Sequence, residues 1–187
     1  MIFTETKLKG AFVIEINKIG DERGFFGRQW CQNEMTKMGL KSAIAQVNTS
    51  LNKEKGTLRG LHYQKHPFQE SKLIRCIRGS IFDVIVDLRP DSETFKQWFG
   101  IELTQDNYNM LYAPDNFAHG FLTLEDNSEI LYLVSQFYHP EAEAGIRWND
   151  PQFSILWPES VELISEKDKN RPDFDEVLYK KSFPISK

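Results

Sequence analysis

The spacing of turn signals constrains this chain more than any other feature of its sequence. Gly20-Asp21, Gly79-Ser80, Pro90-Asp91, Asp106-Asn107, Pro114-Asp115 and Asp126-Asn127 separate short apolar stretches rich in β-branched and aromatic residues. Strands recurring at roughly 8–12 residues predict an antiparallel sandwich or barrel, an all-β fold. The strands read as Phe12 to Ile16, Ala43 to Leu51, the stretch through Gly56–His62, Ser71 to Arg78 and Ile81 to Leu88, then Phe95 to Leu103, Met110 to Ala113, Phe117 to Leu124 and Glu129 to Tyr138. Gly79-Ser80 is expected to close a hairpin, and Tyr63 to Pro67 to form a loop. Gly20 to Gly24 reads as a charged, glycine-bracketed turn leading into the aromatic strand Phe25 to Trp30. Helix is expected only at Gln32 to Met38, stopped by Gly39, with Met35 and Met38 on one packing face, and at Asp173 to Lys181 on the outside.

At 187 residues with 40% hydrophobic and 13% aromatic content, the chain can bury one sizeable core, so residues 1–187 are read as a single domain with a charged, proline-punctuated extension from about Glu159. A formal net charge of -4 with no run of lysines and arginines argues against nucleic acid or an anionic membrane as partner. No stretch approaches the roughly 18 apolar residues of a membrane span, and Met1-Ile2-Phe3-Thr4-Glu5 lacks the layout of a secretion signal. A cytoplasmic protein is expected. Cys31 and Cys76 have no metal or redox spacing and are expected to be free, buried thiols.

Gly56-Thr57-Leu58-Arg59-Gly60-Leu61-His62 concentrates the chemistry. Two glycines, a fixed cation and a titratable base on one strand read as the floor of an active site acting on an anionic ligand. The two-residue period of a strand places Arg59 and His62 on opposite faces, unless a bulge at Gly60 re-aims one of them. Gln46 and Asn48, two apart, share a face; they serve either to read a ligand's hydrogen-bonding edge or as solvent-facing amides.

Gly56 followed by five residues and His62, and the segment Pro114-Asp115-Asn116-Phe117-Ala118-His119, resemble the two halves of the cupin signature, which implies a double-stranded β-helix, or jelly roll, with short peripheral helices. The metal pattern is broken, because Gln64 stands where a metal cupin has its second histidine and Glu70 is only loosely placed as its glutamate. Two lone imidazoles make a poor shell for a divalent ion, so no metal and no cofactor are expected. From Phe12 to Asp168 the chain resembles the dTDP-4-dehydrorhamnose 3,5-epimerase family. The resemblance runs through Asp21-Glu22-Arg23-Gly24-Phe25-Phe26, the Gly56–His62 stretch, Lys72-Leu73, Phe117-Ala118-His119-Gly120-Phe121, Trp148-Asn149-Asp150 and Ser165-Glu166-Lys167-Asp168. It implies a metal-independent, homodimeric isomerase acting on a nucleoside-diphosphate 4-keto-6-deoxy sugar.

The resemblance assigns the base to His62, its orienting carboxylate to Asp168, the cation near the enolate to Lys72 and the acid to Tyr132. It assigns substrate binding to Arg23, Gln46, Asn48, Arg59, His119, Glu143 and Lys167, and stacking on the nucleobase to Tyr138. In the family the Arg23 segment reaches into the neighbouring subunit's site. Arg28 stands where some members carry a glutamate that meets the base, a charge reversal; its alternative is a solvated strand residue. Epimerisation at C3 alone, a CDP- or GDP-linked substrate, and a non-catalytic jelly roll that only binds sugar are the competing readings.

Overall fold

The computed structural model of the protein describes residues 1–181. Two antiparallel sheets face each other. The first runs in the order β1 (Ile2–Glu5), β2 (Phe12–Glu15), β10 (Met110–Ala113), β7 (Lys72–Arg78), β12 (Ser128–Val134), β5 (Gln46–Asn52). The second runs β13 (Glu143–Gly145), β6 (Thr57–Gln64), β11 (Phe117–Thr123), β8 (Ser80–Asp87), β9 (Trp98–Thr104), with β14 (Leu163–Ile164) lying parallel to the start of β6. A separate hairpin, β3 (Lys18–Asp21) and β4 (Gly24–Gly27), stands off both sheets. Helices α1 (Gln32–Lys37), α2 (Glu166–Lys169) and α3 (Glu176–Lys181) are peripheral. The all-β jelly roll with short outer helices is therefore the fold.

Apolar residues fall into three layers because the outer faces of both sheets are partly covered, while the edge strands β1 and β5 keep exposed residues. Ile74, Cys76, Ile85, Leu111, Phe121 and Ile130 fill the space between the sheets. Leu61, Val84, Val86 and Ala118 point the other way, under Phe153, Phe174 and Tyr179 of the C-terminal segment. Phe12, Ile14, Leu73 and Met110 pack under Met35 of α1. This double cover explains why β8 is buried along nearly its whole length and reads as a continuous apolar run rather than an alternating one.

Several expectations are corrected. Gly79-Ser80 does not close a hairpin: β7 belongs to the first sheet and β8 to the second, so Gly79, at a φ of 71°, carries the chain across the sandwich. Local turn chemistry is the same in either case, and only the inner faces of both sheets, which must meet, choose the crossing. The Gly20–Gly24 turn is the tip of the hairpin β3–β4, and Phe25 and Phe26 belong to its second strand. Tyr63 and Gln64 continue β6 through pairing with β13, which shortens the expected loop. Met38 is exposed while Met35 is buried, because the helix ends at Lys37 before Met38 can turn inward. The strand β1 was not foreseen; it adds to the edge of β2. Among the described residues no helix is long and apolar enough to cross a membrane.

Candidate active site

The site is built on β6, and its first determinant is a register slip. His119 of β11 pairs with His62, but Phe121 pairs with Arg59, so β6 carries one extra residue at Gly60-Leu61. Gly60 holds a φ of 121°, and a Cβ there would come within 2.6 Å of the Gly120 Cα and 2.8 Å of the His119 carbonyl oxygen. Only glycine fits such a position. The slip overturns the simple two-residue parity: Arg59 and His62 border the same cavity, while Leu61 turns outward into the apolar layer.

Asp168 reaches His62 by a local device. β14 lies against the start of β6, and Ser165 then caps α2 by accepting a hydrogen bond from the Asp168 amide at 3.1 Å. One turn of helix brings the carboxylate of Asp168, almost fully buried, to 2.6 Å from His62 Nε2, with a longer bond from the Gly60 amide. Burial pulls the Asp168 carboxyl upward, but the hydrogen bond and charge of His62 outweigh it, and the group sits at about 2. It is a carboxylate at neutral pH and can only accept. His62 Nε2 must therefore carry the hydrogen, leaving Nδ1 with its lone pair as the basic atom.

His62 lies where two adjoining cavities meet, both bordered also by Glu143. The first, about 450 Å³, is lined by Gln46, Asn48, Lys72, Tyr132 and Tyr138. Asn48 is the direct cross-strand partner of Tyr132, so one amide and one phenol project together between the sheets. Gln46 Oε1 accepts the Tyr138 amide at 2.8 Å. Lys72 is mostly buried, with its ammonium 3.1 Å from Glu70 and 3.5 Å from the His62 carbonyl oxygen. Burial raises the Tyr132 phenol above its ordinary value, against a smaller opposite pull from Arg59; it is protonated at neutral pH and able to give a proton. The second cavity, about 430 Å³, is lined by Arg59, Ser165, Lys167 and Asp168. Arg59 Nε donates to Asn52 Oδ1 at 2.6 Å. Glu143 accepts from Lys167 and, at 2.7 Å, from the Tyr138 hydroxyl. The Lys167 contact leads the causes that bring the Glu143 carboxyl down to about 2.

Three expected residues lie apart from these cavities. His119 is the cross-strand neighbour of His62 but sits deeper, with Nε2 2.7 Å from the fully buried Asp83. Arg23 is at the exposed tip of the β3–β4 hairpin, bonded to Asp21. Arg28 follows that hairpin and pairs with Glu34 at 3.2 Å. Neither arginine is brought to its own chain's cavity, because the hairpin stands off the sheets. Gln64 is fully engaged: its amide donates to the Phe68 and Phe137 carbonyls, both at 3.0 Å, and its oxygen accepts the His139 amide at 2.6 Å. Among the described residues no cluster of His, Cys, Asp and Glu is arranged to hold a metal ion. Sequence reading passed over Arg171, which stands three residues after Asp168 and touches both Asp168 and Glu143; the i, i+3 spacing on a helical turn was the signal available.

A jelly roll whose cavity joins a carboxylate-bound histidine to a protonated phenol and a lysine defines a cupin-like fold equipped for proton transfer. The sequence model of dTDP-4-dehydrorhamnose 3,5-epimerase matches residues 5–176. The chain belongs to the dTDP-4-dehydrorhamnose 3,5-epimerase family, whose members are isomerases. It is 44% identical over 171 residues to the enzyme of that name from Methanothermobacter thermautotrophicus, covering 90% of this chain and 91% of that one. It is 40% identical to the one from Escherichia coli strain K12, covering 92% and 94%. The crystal structure of dTDP-4-dehydrorhamnose 3,5-epimerase from Bacillus anthracis str. Ames with TDP and PPi bound superimposes with a TM-score of 0.89 at 40% identity, covering 92% of this chain and 99% of that one.

Proposed function

We propose that the protein inverts C3 and C5 of dTDP-4-dehydro-6-deoxyglucose, giving dTDP-4-dehydrorhamnose, without a metal or organic cofactor. The observation that carries this is the His62–Asp168 pair opening onto a cavity that also holds Tyr132 and Lys72. His62 Nδ1 removes the proton beside the C4 ketone, and the electrons of the broken C–H bond move onto the ketone oxygen as an enolate. Asp168 holds the ring tautomer and balances the imidazolium that forms. The Lys72 ammonium stabilises the enolate oxygen. Tyr132 then returns a proton to the carbon from the opposite face, inverting it. Arg59 and Lys167 meet the diphosphate, Gln46, Asn48 and Glu143 hold the sugar and nucleoside, and Tyr138 stacks on the base. The commitment of Gln64 to three backbone groups supports a metal-free reading, since the side chain at the second-histidine position of a metal cupin is here a wall fastener.

In the same reading, residues 1–187 act as one cytoplasmic jelly-roll domain that works as a homodimer, with the β3–β4 hairpin bringing Arg23, and Arg28 behind it, to the partner's cavity. The exposure of Ile19, Phe25 and Phe26 on that hairpin supports this. Turnover of dTDP-4-keto-6-deoxyglucose in deuterated water is the test, and deuterium is expected at both C3 and C5. Label at C3 alone means a 3-epimerase. Exchange only with a CDP- or GDP-linked analogue moves the error to the nucleobase, and binding without exchange favours a sugar-binding protein.

A further inference from the structure

Arg171 stands behind the base and is assigned no part in the reading above. Its Nε donates to Asp168 Oδ1 at 3.3 Å, the same oxygen that His62 approaches at 2.6 Å, and its Nη2 donates to Glu143 Oε1 at 3.2 Å. The side chain is only 12% exposed. A second feature of the fold makes room for it. Gly145 of β13 is the cross-strand partner of His62, and a Cβ at Gly145 would lie 2.6 Å from both Cζ and Nε of Arg171. A side chain at this strand position would meet the Leu61 carbonyl oxygen as well as the guanidinium, so the glycine leaves Arg171 its room directly behind the base.

We propose that Arg171 is a positioning residue for the base: its planar fork ties the Asp168 carboxylate to Glu143, aims Asp168 at His62, and takes a share of the Asp168 charge. This rests on the epimerase reading for its consequence but not for its geometry. The contacts form one chain, Tyr138–Glu143–Arg171–Asp168–His62, that joins the end of the cavity proposed to meet the nucleoside to the ring of the base, at the nitrogen opposite the one that abstracts the proton. A guanidinium suits this task because it can span two carboxylates in one plane, which an ammonium cannot.

The sign of the effect follows from the charges around the pair. Arg59 and Tyr63 on β6, Glu143 on β13 and Lys167 on α2 surround it. Lys72 on β7 touches the His62 carbonyl, and His119 with Asp83 lies one strand away. All of these remain when Arg171 alone is replaced by glutamine. The variant loses one positive charge beside Asp168, so the full carboxylate charge faces the imidazole and holds its proton more firmly.

The experiment combines the Arg171→Gln and Arg171→Lys variants, each checked for native circular dichroism, with two readouts. The first is the NMR titration of the His62 ring in the substrate-free protein, assigned by its loss in His62→Asn. The second is the pH profile of kcat/KM. In Arg171→Gln the titration midpoint and the acid limb are expected to move up together by roughly half a pH unit or more, with kcat about tenfold lower and KM changed less than threefold. Arg171→Lys is expected to keep the midpoint and still lose kcat, because charge is retained and the fork is not. A folded Arg171→Gln with an unmoved midpoint overturns the proposal, as does an Arg171→Lys with wild-type kcat should the glutamine variant fail to fold. Because the titration needs no substrate, a moved midpoint in a protein that turns over no 4-keto sugar would retain the inference and reject the epimerase reading instead.

Discussion

His62 carries the proposed chemistry at the scale of single residues, and the pH behaviour of the site follows from its partner. Asp168 and Glu143 both sit at about 2 and stay ionised through the pH range in which enzymes are assayed. The acid limb of kcat/KM above about pH 4 is then expected to have unit slope, reporting one proton taken up by His62. A slope of two would mean that a second group titrates. The folded-state carboxyl of Asp168 lies below its unfolded value of 3.8, so the stability it contributes is complete above that value and fades as pH falls from there toward about 2. Acid unfolding in this window should be shallower in Asp168→Asn, as followed by circular dichroism.

Replacing His62 by Asn is expected to lower solvent exchange at both carbons by about 10²–10⁴-fold or more while leaving the melting temperature within a few degrees, since no neighbouring group replaces a positioned base. Tyr132→Phe should behave differently. Removing the phenol leaves abstraction and return by His62 possible, so washout of label should outlast net inversion. Equal loss of both would assign Tyr132 to packing or to the enolate.

At the scale of elements, the bulge in β6 is what makes a site out of a strand. Gly60→Ala must place a methyl against the backbone of Gly120 and His119 at a φ that disfavours a side chain. It is expected to cost roughly 2–4 kcal/mol, a fall in Tm on the order of 4–16 °C for a chain of this size. Activity should fall further than stability, because relaxing the bulge sends Arg59 and His62 to opposite faces. Calorimetry beside a turnover assay at a temperature where the variant stays folded would separate the two. A variant with wild-type Tm and turnover would show that the slip is not needed.

The whole molecule is expected to work without a metal and as a dimer. Prolonged dialysis against a chelator is expected to leave turnover unchanged; loss restored by one added metal would reverse the mechanism. Dimerisation is expected through the exposed apolar hairpin, so Phe26→Asp should shift sedimentation toward the monomer and lower activity with it. Mixing inactive His62→Asn with inactive Arg23→Ala should restore part of the activity if subunits exchange Arg23, because one of the two mixed sites is then intact.

Much of this was legible in the linear chain. Turn chemistry and short β-branched runs determined that the fold is all-β, since a strand needs only local alternation and a turn only a few residues of suitable backbone freedom. The order of Gly56–His62, Lys72, Phe117–His119 and Ser165–Asp168 determined the family, and with it His62, Lys72, Tyr132 and Asp168 as residues to look for. Tertiary structure decided what depends on distance across the fold. Gly79-Ser80 carries the chain between sheets rather than closing a hairpin, because the choice rests on which inner faces must be buried together. The extra residue at Gly60 reverses the parity of Arg59 only through its pairing with β11. Arg171 gained its place from Gly145, twenty-six positions earlier in the sequence, because a side chain's seat is set by what its neighbours across a strand leave empty, and that vacancy exists only once β13 has docked on β6.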